Sequence, residues 1–436
     1  MLTYSVHGSL SGQVAAPISK SELHRLLLAA ALSSGSTLIS HCTVSEDILA
    51  TARVLQAAGA FVEFREDSIF VKGIFSSDLQ QNFSSPVSCD CSESGSTLRF
   101  LIPVFSALGI PAVFSGKGRL AQRPMQPLLD ELSAHGAAFS LPRDGLFLPL
   151  GISQKLQSGV FSFSGNISSQ YITGLLFALP LLRCDSKIIL TSPLESKGYV
   201  DMSIDTLSKF GIRINPIQNG WEIPGNQQYR TPGHITARGD WSNAAFWICA
   251  GALCPGSQIT VTGTDPHSFQ GDKAVCNVLK QMGAKLTITE TGVTVQHSQL
   301  SGTVIDASQI PDIIPILSVA AAVARGETKI IHASRLRIKE SDRLHAMYDC
   351  LSKIGAEVTE LEDGLIIRGK PSLTGGRVSS FGDHRIAMSM AVASLVCKQP
   401  VEIEQPLCVS KSYPDFYRAF QSLGGIVDVI NLGQTD

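Results

Sequence analysis

Two kinds of apolar pattern alternate along this chain. Six short amphipathic stretches, at 54–59, 129–136, 207–211, 279–283, 351–355 and 420–424, each end in a glycine. Each reads as the last turn of a helix stopped by a glycine in the left-handed conformation, which a Cβ would strain. Period-two alternation follows, then a turn, then more alternation, as in Phe61-Val-Glu-Phe, Glu66-Asp67 and Ser68-Ile-Phe-Val. That predicts a β-hairpin after each helix. The six glycines fall 69 to 77 residues apart, so the chain repeats one unit six times.

The second pattern recurs at the same spacing. Polar clusters open strongly apolar stretches at Ser19-Lys-Ser-Glu, Ser94-Gly-Ser-Thr, Ser168-Ser-Gln, Asp240-Trp-Ser-Asn, Pro311-Asp312 and Gly382-Asp-His-Arg. The stretches 98–108 and 386–396 are apolar nearly all round, which predicts buried helices. Each repeat is therefore one buried helix, one amphipathic helix and a small sheet, an α/β (α+β) architecture. Six repeats divide into three plus three, with a boundary near 229–238, where Thr231, Pro232 and Gly233 interrupt the regular elements. The expected domains are 19–235 (repeats 1–3) and 1–18 with 236–436 (repeats 4–6). The first eighteen residues are expected to complete the sheet of the last repeat.

Composition narrows the functions. The 436 residues carry 35 Lys+Arg against 37 Asp+Glu, so no broad basic field exists for nucleic acid. No apolar run reaches membrane-spanning length, and the N-terminus lacks a basic-then-apolar signal pattern, which favours a cytoplasmic protein. Ten scattered cysteines without a C-x-x-C pair read as reduced thiols, and no metal is expected. The P-loop, dinucleotide and G-x-S-x-G fingerprints are all missing.

The densest chemistry lies at Arg335-Leu-Arg-Ile-Lys-Glu-Ser-Asp-Arg343. Read as extended chain, this puts Arg335, Arg337 and Lys339 on one face, with Leu336 and Ile338 on the other. Ser341 is then placed to cap a helix starting near Asp342, which turns Arg343 back toward the same region. Crowded cations repel unless anions sit among them; Glu340 and Asp342 balance part of that charge and leave room for a bound anion. A lysine beside guanidinium groups also loses proton affinity, which suits acid–base chemistry. The segment alone reads equally well as a solvated turn laced with ion pairs.

Other cations recur at the predicted helix N-termini, where unsatisfied N–H groups attract anions: Lys20, Arg25, Arg99, His384 and Arg385. Arg119 and Arg123 share a loop with Gly116 and Gly118, and Lys411 follows the last buried helix. Asp312, after Pro311, reads as an N-cap or as a second acid beside Lys339 and Glu340.

Taken in order, Lys20-Ser21 with Arg25, Gly95-Ser-Thr-Leu-Arg99, Gln122-Arg123-Pro124, Ser168-Ser169-Gln170, Lys339-Glu340-Ser-Asp-Arg343, Asp383-His384-Arg385 and Lys411-Ser-Tyr-Pro-Asp415 form a specific set. In these motifs the chain resembles, nearly end to end, the 5-enolpyruvylshikimate-3-phosphate synthase (3-phosphoshikimate 1-carboxyvinyltransferase) family of enolpyruvyl transferases. The resemblance implies a two-domain inverse α/β barrel that closes on its substrates, with the active site in the interdomain cleft. It implies transfer of the enolpyruvyl group of phosphoenolpyruvate to shikimate 3-phosphate in aromatic amino acid biosynthesis, with Gly95 leaving room where the family's inhibitor glyphosate would bind. Shikimate 3-phosphate would be held by Lys20, Ser21, Arg25, Ser168, Ser169, Gln170, Ser196, Tyr199, Asp312, Arg335 and Lys339. Phosphoenolpyruvate would be held by Lys20, Gly95, Arg99, Arg123, Gln170, Arg343, His384, Arg385 and Lys411. Asp312, Lys339, Glu340 and Lys20 would be catalytic, without cofactor or metal, in a monomer. Glu93 departs from the family, standing where many members have Asn, and Arg335 stands where some have Asn. The rival UDP-N-acetylglucosamine enolpyruvyltransferases usually carry a loop cysteine; this chain has none between Ile110 and Pro127. A non-catalytic anion binder on the same scaffold would be expected to lose its acids first.

Overall fold

The computed structural model describes residues 2–42, 44–76 and 85–431. Among them, helices of two kinds alternate: α1 Lys20–Ala31, α2 Glu46–Ala57, α3 Gly95–Leu108, α4 Gln126–Ala134, α5 Ser169–Ala178, α6 Lys197–Lys209, α7 Trp241–Leu253, α8 Val275–Gln281, α9 Ile314–Val323, α10 Arg343–Lys353, α11 His384–Ala393 and α12 Phe416–Ser422. The odd-numbered helices are buried on nearly every side, as their apolar composition requires. The even-numbered ones bury one face. All six glycines that end the amphipathic stretches have positive φ, between 76° and 105°.

Six four-stranded sheets are built to one plan. In the second repeat, Val87–Asp90 pairs in parallel with Ala112–Ser115; Leu150–Ile152 then pairs antiparallel, with Phe139–Ser140 outside it. The chain forms two compact units, 20–237 and 1–19 with 238–436, each with three sheets.

In the 20–237 unit, His234–Thr236 supplies the parallel strand beside Ser36–Ser40, so the last strand of the unit completes its first sheet. In the other unit the first eighteen residues are shared between two sheets. Leu2–Gly8 lies between Val401–Glu404 and Gly425–Asn431 in the sixth repeat. Gly12–Ala15 runs parallel to Gln258–Thr262 in the fourth.

Helix packing sets the positions of functional groups. In the 1–19/238–436 unit, α7, α9 and α11 pack on one another, and Trp247 of α7 stacks on Phe416 with ring centroids 4.9 Å apart. Truncating Trp247 to alanine would cost about 3–5 kcal/mol. In the 20–237 unit, α3 packs against α5. Pro103 offers no N–H to the Arg99 carbonyl four residues back. Gly174 of α5 lies so close to that carbonyl that any Cβ would overlap it. This close approach brings Arg99 and Gln170 side by side.

Candidate active site

Within each unit, the buried helices begin at polar clusters. Ser94 accepts a hydrogen bond from the Thr97 amide, Ser168 from that of Gln170, Asp240 from that of Ser242 and Asp383 from that of Arg385. These caps satisfy donors that the first helical turn leaves open.

In the 20–237 unit, Arg25 is buried on α1. Its guanidinium donates to Ser203 Oγ (2.8 Å), the Ser21 carbonyl (2.6 Å), Thr173 Oγ1 (3.3 Å) and the Tyr199 carbonyl (2.9 Å). Burial brings its pKa down to about 10, so it stays charged at neutral pH. Ser196 opens α6 in the left-handed region (φ 53°), one turn before Tyr199. Arg99 donates to Gln170 Oε1 (2.7 Å) and the Pro124 carbonyl (2.9 Å), and Gln170 donates to Ser96 Oγ (3.0 Å). Ser168 and Ser169 stand at the head of the same helix as Gln170. Arg123 lies over Gly95; a Cβ there would come 2.5 Å from its Nη1. Lys20 pairs with Asp47 at 2.9 Å. Glu93 turns its carboxylate toward the face of Gly118, where a Cβ would meet it at 2.7 Å.

In the other unit, Arg343 is the hub. Its guanidinium donates to Asp383 (2.8 Å), Asp312 (2.8 Å) and Glu340 (2.7 Å). Lys339 Nζ lies 3.3 Å from Asp312 Oδ1, and Arg385 Nε lies 4.0 Å from the same atom. Burial pushes the Asp312 carboxyl up, but Lys339, Arg385 and Arg343 outweigh it and hold it well below the usual carboxylate range. Asp383 is likewise lowered: Arg343 overcomes its burial. The Lys339 ammonium moves down, first through burial and then through Arg343 and Arg335, with Asp312 opposing. Lys411 donates to the Gly382 carbonyl (2.8 Å), just before the α11 cap, and His384 is buried in the first turn of α11.

Two expectations for the cationic segment are overturned. Ser334–Ile338 is a 3-10 turn, not an extended strand. Arg337 therefore leaves the Lys339 side and pairs with Asp342 (2.9 Å) and Glu360 (2.7 Å). The cap of α10 is Asp342, which accepts from the His345 amide; Ser341 donates instead to Asp383. Asp312 sits inside the 3-10 turn Pro311–Ile313, and its carboxylate faces cations.

Sequence reading passed over three acids. Asp383 appeared there only as part of a motif, yet it anchors both Arg343 and Ser341. Asp47 balances Lys20 from the first turn of α2, where the Glu46-Asp47 pair was the available signal. Asp272 is fully buried and accepts from Ser242; flanked by Gly271 and Lys273, it carried no local signal of burial.

These cations at helix heads, with acids among them, suit polyanionic ligands and proton transfer. Among the described residues no cluster fit to hold a metal occurs, and no helix is long and apolar enough to cross a membrane.

Comparison with known proteins agrees with this chemistry. The family model for EPSP synthase (3-phosphoshikimate 1-carboxyvinyltransferase) matches residues 5–420. The 3-phosphoshikimate 1-carboxyvinyltransferase of Clostridium perfringens is 46% identical, over 96% of this chain and 97% of its own length. That of Clostridium kluyveri is also 46% identical, over 98% of each. Among solved structures, the EPSP synthase of Acinetobacter baumannii superimposes with a TM-score of 0.83 at 26% identity, covering 99% of this chain and all of that one. The two-unit, six-repeat architecture is thus the inverse α/β barrel fold, and the chain belongs to the EPSP synthase family.

Proposed function

We propose that this chain transfers the enolpyruvyl group of phosphoenolpyruvate to the 5-hydroxyl of shikimate 3-phosphate and releases phosphate. The observation that carries the chemistry is Lys339 beside an Asp312 held ionised, next to Glu340 on the Arg343 hub.

The 5-hydroxyl oxygen attacks C2 of the enol phosphate and loses its proton, while C3 gains one and becomes a methyl group. Phosphate then leaves C2, and C3 gives up a proton to restore the double bond. A carboxylate well below its usual range is a weak base at neutral pH, whereas a lysine with lowered pKa is a better match. Lys339 therefore takes the hydroxyl proton and Asp312 orients it. Glu340 carries the proton to and from C3.

Arg25, Ser21, Ser168, Ser169, Gln170, Ser196, Tyr199 and Arg335 hold shikimate 3-phosphate, together with Asp312 and Lys339. Arg99, Arg123, Gln170, Arg343, His384, Arg385 and Lys411 hold phosphoenolpyruvate, with Gly95 leaving room for it. Lys20 and Lys411 neutralise the departing phosphate. The enzyme works as a monomer in the cytoplasm, a reading supported by ten free, mostly buried thiols that suit a reducing compartment.

The test is phosphate release from purified protein given phosphoenolpyruvate and either shikimate 3-phosphate or UDP-N-acetylglucosamine. Release that requires shikimate 3-phosphate is the expected result. Release only with the UDP-sugar, or none from folded protein that binds the ligands, would overturn the reading.

A further inference from the structure

Behind Arg385 lies a buried polar network that the proposed mechanism does not use. Gln270 accepts from the Trp241 amide (2.8 Å) and donates to Asp240 Oδ1 (2.6 Å) and Ser242 Oγ (2.8 Å). Asn243 donates to Asp240 Oδ2 (3.1 Å). These bonds lock the first turn of α7. Ser242 Oγ in turn donates to Asp272 Oδ2, and the Ser242 carbonyl accepts from Arg385 Nη1 (3.4 Å).

A neutral asparagine at 272 would accept the Ser242 hydrogen bond equally well. The negative charge is therefore an extra, and a fully buried charge is costly unless a cation answers it. The cation that acts on Asp272 is Arg385, while Asp312 and Asp240 act on it as like charges. Lys273, its neighbour in the turn Gly271–Ala274, is directed to the Pro266 carbonyl instead. On the adjoining α8, burial pushes the Cys276 thiol up to about 12, so it carries no charge at neutral pH. Arg385 is thus drawn by two carboxylates, Asp312 at its Nε and Asp272 through the Ser242 turn.

We infer that Asp272 is a positioning residue for phosphoenolpyruvate, fixing through Ser242 the direction in which the Arg385 guanidinium points. The inference rests on the proposed role of Arg385 in holding that substrate. It carries a pH signature. Burial, followed by the like charge of Asp312, pushes the Asp272 carboxyl up to about 6. Above that pH Asp272 is ionised and holds Arg385; below it the hold is released.

The experiment is steady-state kinetics of the full chain and of Asp272→Asn, from pH 5 to pH 8. At pH 7.5 the variant keeps the Ser242 hydrogen bond but loses the negative charge that acts on Arg385, so KM for phosphoenolpyruvate should rise about tenfold and kcat should stay within about twofold. KM for shikimate 3-phosphate should not move. The ratio of variant to wild-type KM should fall toward one at pH 5, a comparison in which the substrate's own titration cancels. Ser242→Ala should act in the same direction by about threefold. A folded Asp272→Asn with wild-type KM at pH 7.5, or one in which kcat alone falls, would overturn the inference. If that variant fails to fold, wild-type kinetics in Ser242→Ala would overturn it. A wild-type protein without turnover would instead overturn the parent reading, and the inference with it.

Discussion

Arg25 in the 20–237 unit and Arg343 in the 1–19/238–436 unit are both buried guanidinium groups, and their partners are opposites. All four hydrogen bonds of Arg25 end on neutral oxygens, two carbonyls and two hydroxyls. Those of Arg343 end on three carboxylates, Asp312, Glu340 and Asp383. Neutral partners fix the direction of a cation without cancelling its charge, so Arg25 still has charge to offer an anion. Arg343 is already compensated: it ties three carboxylates in place and helps to keep Asp312 and Asp383 ionised. The Arg25 guanidinium keeps its charge uncancelled, whereas the Arg343 guanidinium is spent on carboxylates beside Lys339.

The strongest way to break this comparison is Arg343→Met. It strands the buried carboxylates, which should cost about 3–5 kcal/mol of stability at pH 7. Asp312 and Asp383 have depressed folded-state values, so in the wild type their contribution is present above about pH 4 and lost as pH falls further. In the variant these acids take up protons in the folded state, and the stability gap should narrow on acidification. Denaturant titrations at pH 7 and pH 5 measure it; an equal gap at both would contradict the role given to Arg343.

Lys339→Met comes next, with kcat lowered by about 10²–10⁴-fold and the melting temperature little changed. A variant that loses shikimate 3-phosphate affinity at unchanged kcat would move Lys339 from chemistry to binding. Arg25→Met should do what Lys339→Met does not: raise KM for shikimate 3-phosphate about 10–100-fold, with a smaller change in kcat. It should also cost less stability than Arg343→Met, since its hydrogen bonds leave no carboxylate stranded. Gly95→Ala should have the smallest effect. The new methyl displaces the flexible end of Arg123, so KM for phosphoenolpyruvate should rise by about threefold. Glyphosate inhibition should weaken more than that, and equal weakening of both would count against Gly95 leaving room for the inhibitor.

Much of this was legible in the sequence, because buried helices and hairpins write their periods locally. The 3.6-residue and two-residue patterns, with a left-handed glycine between them, match the observed helices and hairpins of the first five repeats; in the sixth a single strand, Gly425–Asn431, follows and pairs with Leu2–Gly8 instead. The cationic segment misled for the same reason. Arg-Leu-Arg-Ile-Lys alternates like a strand, but the chain turns tightly there, and Arg337 finds Glu360 some twenty residues away. Partners that far off leave no local period. Asp272 shows this most plainly, since its meaning depends on Ser242 and Arg385, thirty or more residues to either side. The motif set named candidate residues; only the folded chain showed that the carboxylates gather on one guanidinium.

The most direct test of a binding set and a proton-moving set is Glu340→Gln. Single-turnover rates would be measured beside calorimetric affinities for shikimate 3-phosphate, with deuterium incorporation at C3 followed in heavy water. The account predicts a rate lowered at least about 10²-fold, loss of deuterium exchange into C3, and affinity within about threefold of wild type. Wild-type exchange at C3, or a loss of affinity that explains the whole defect, would contradict it.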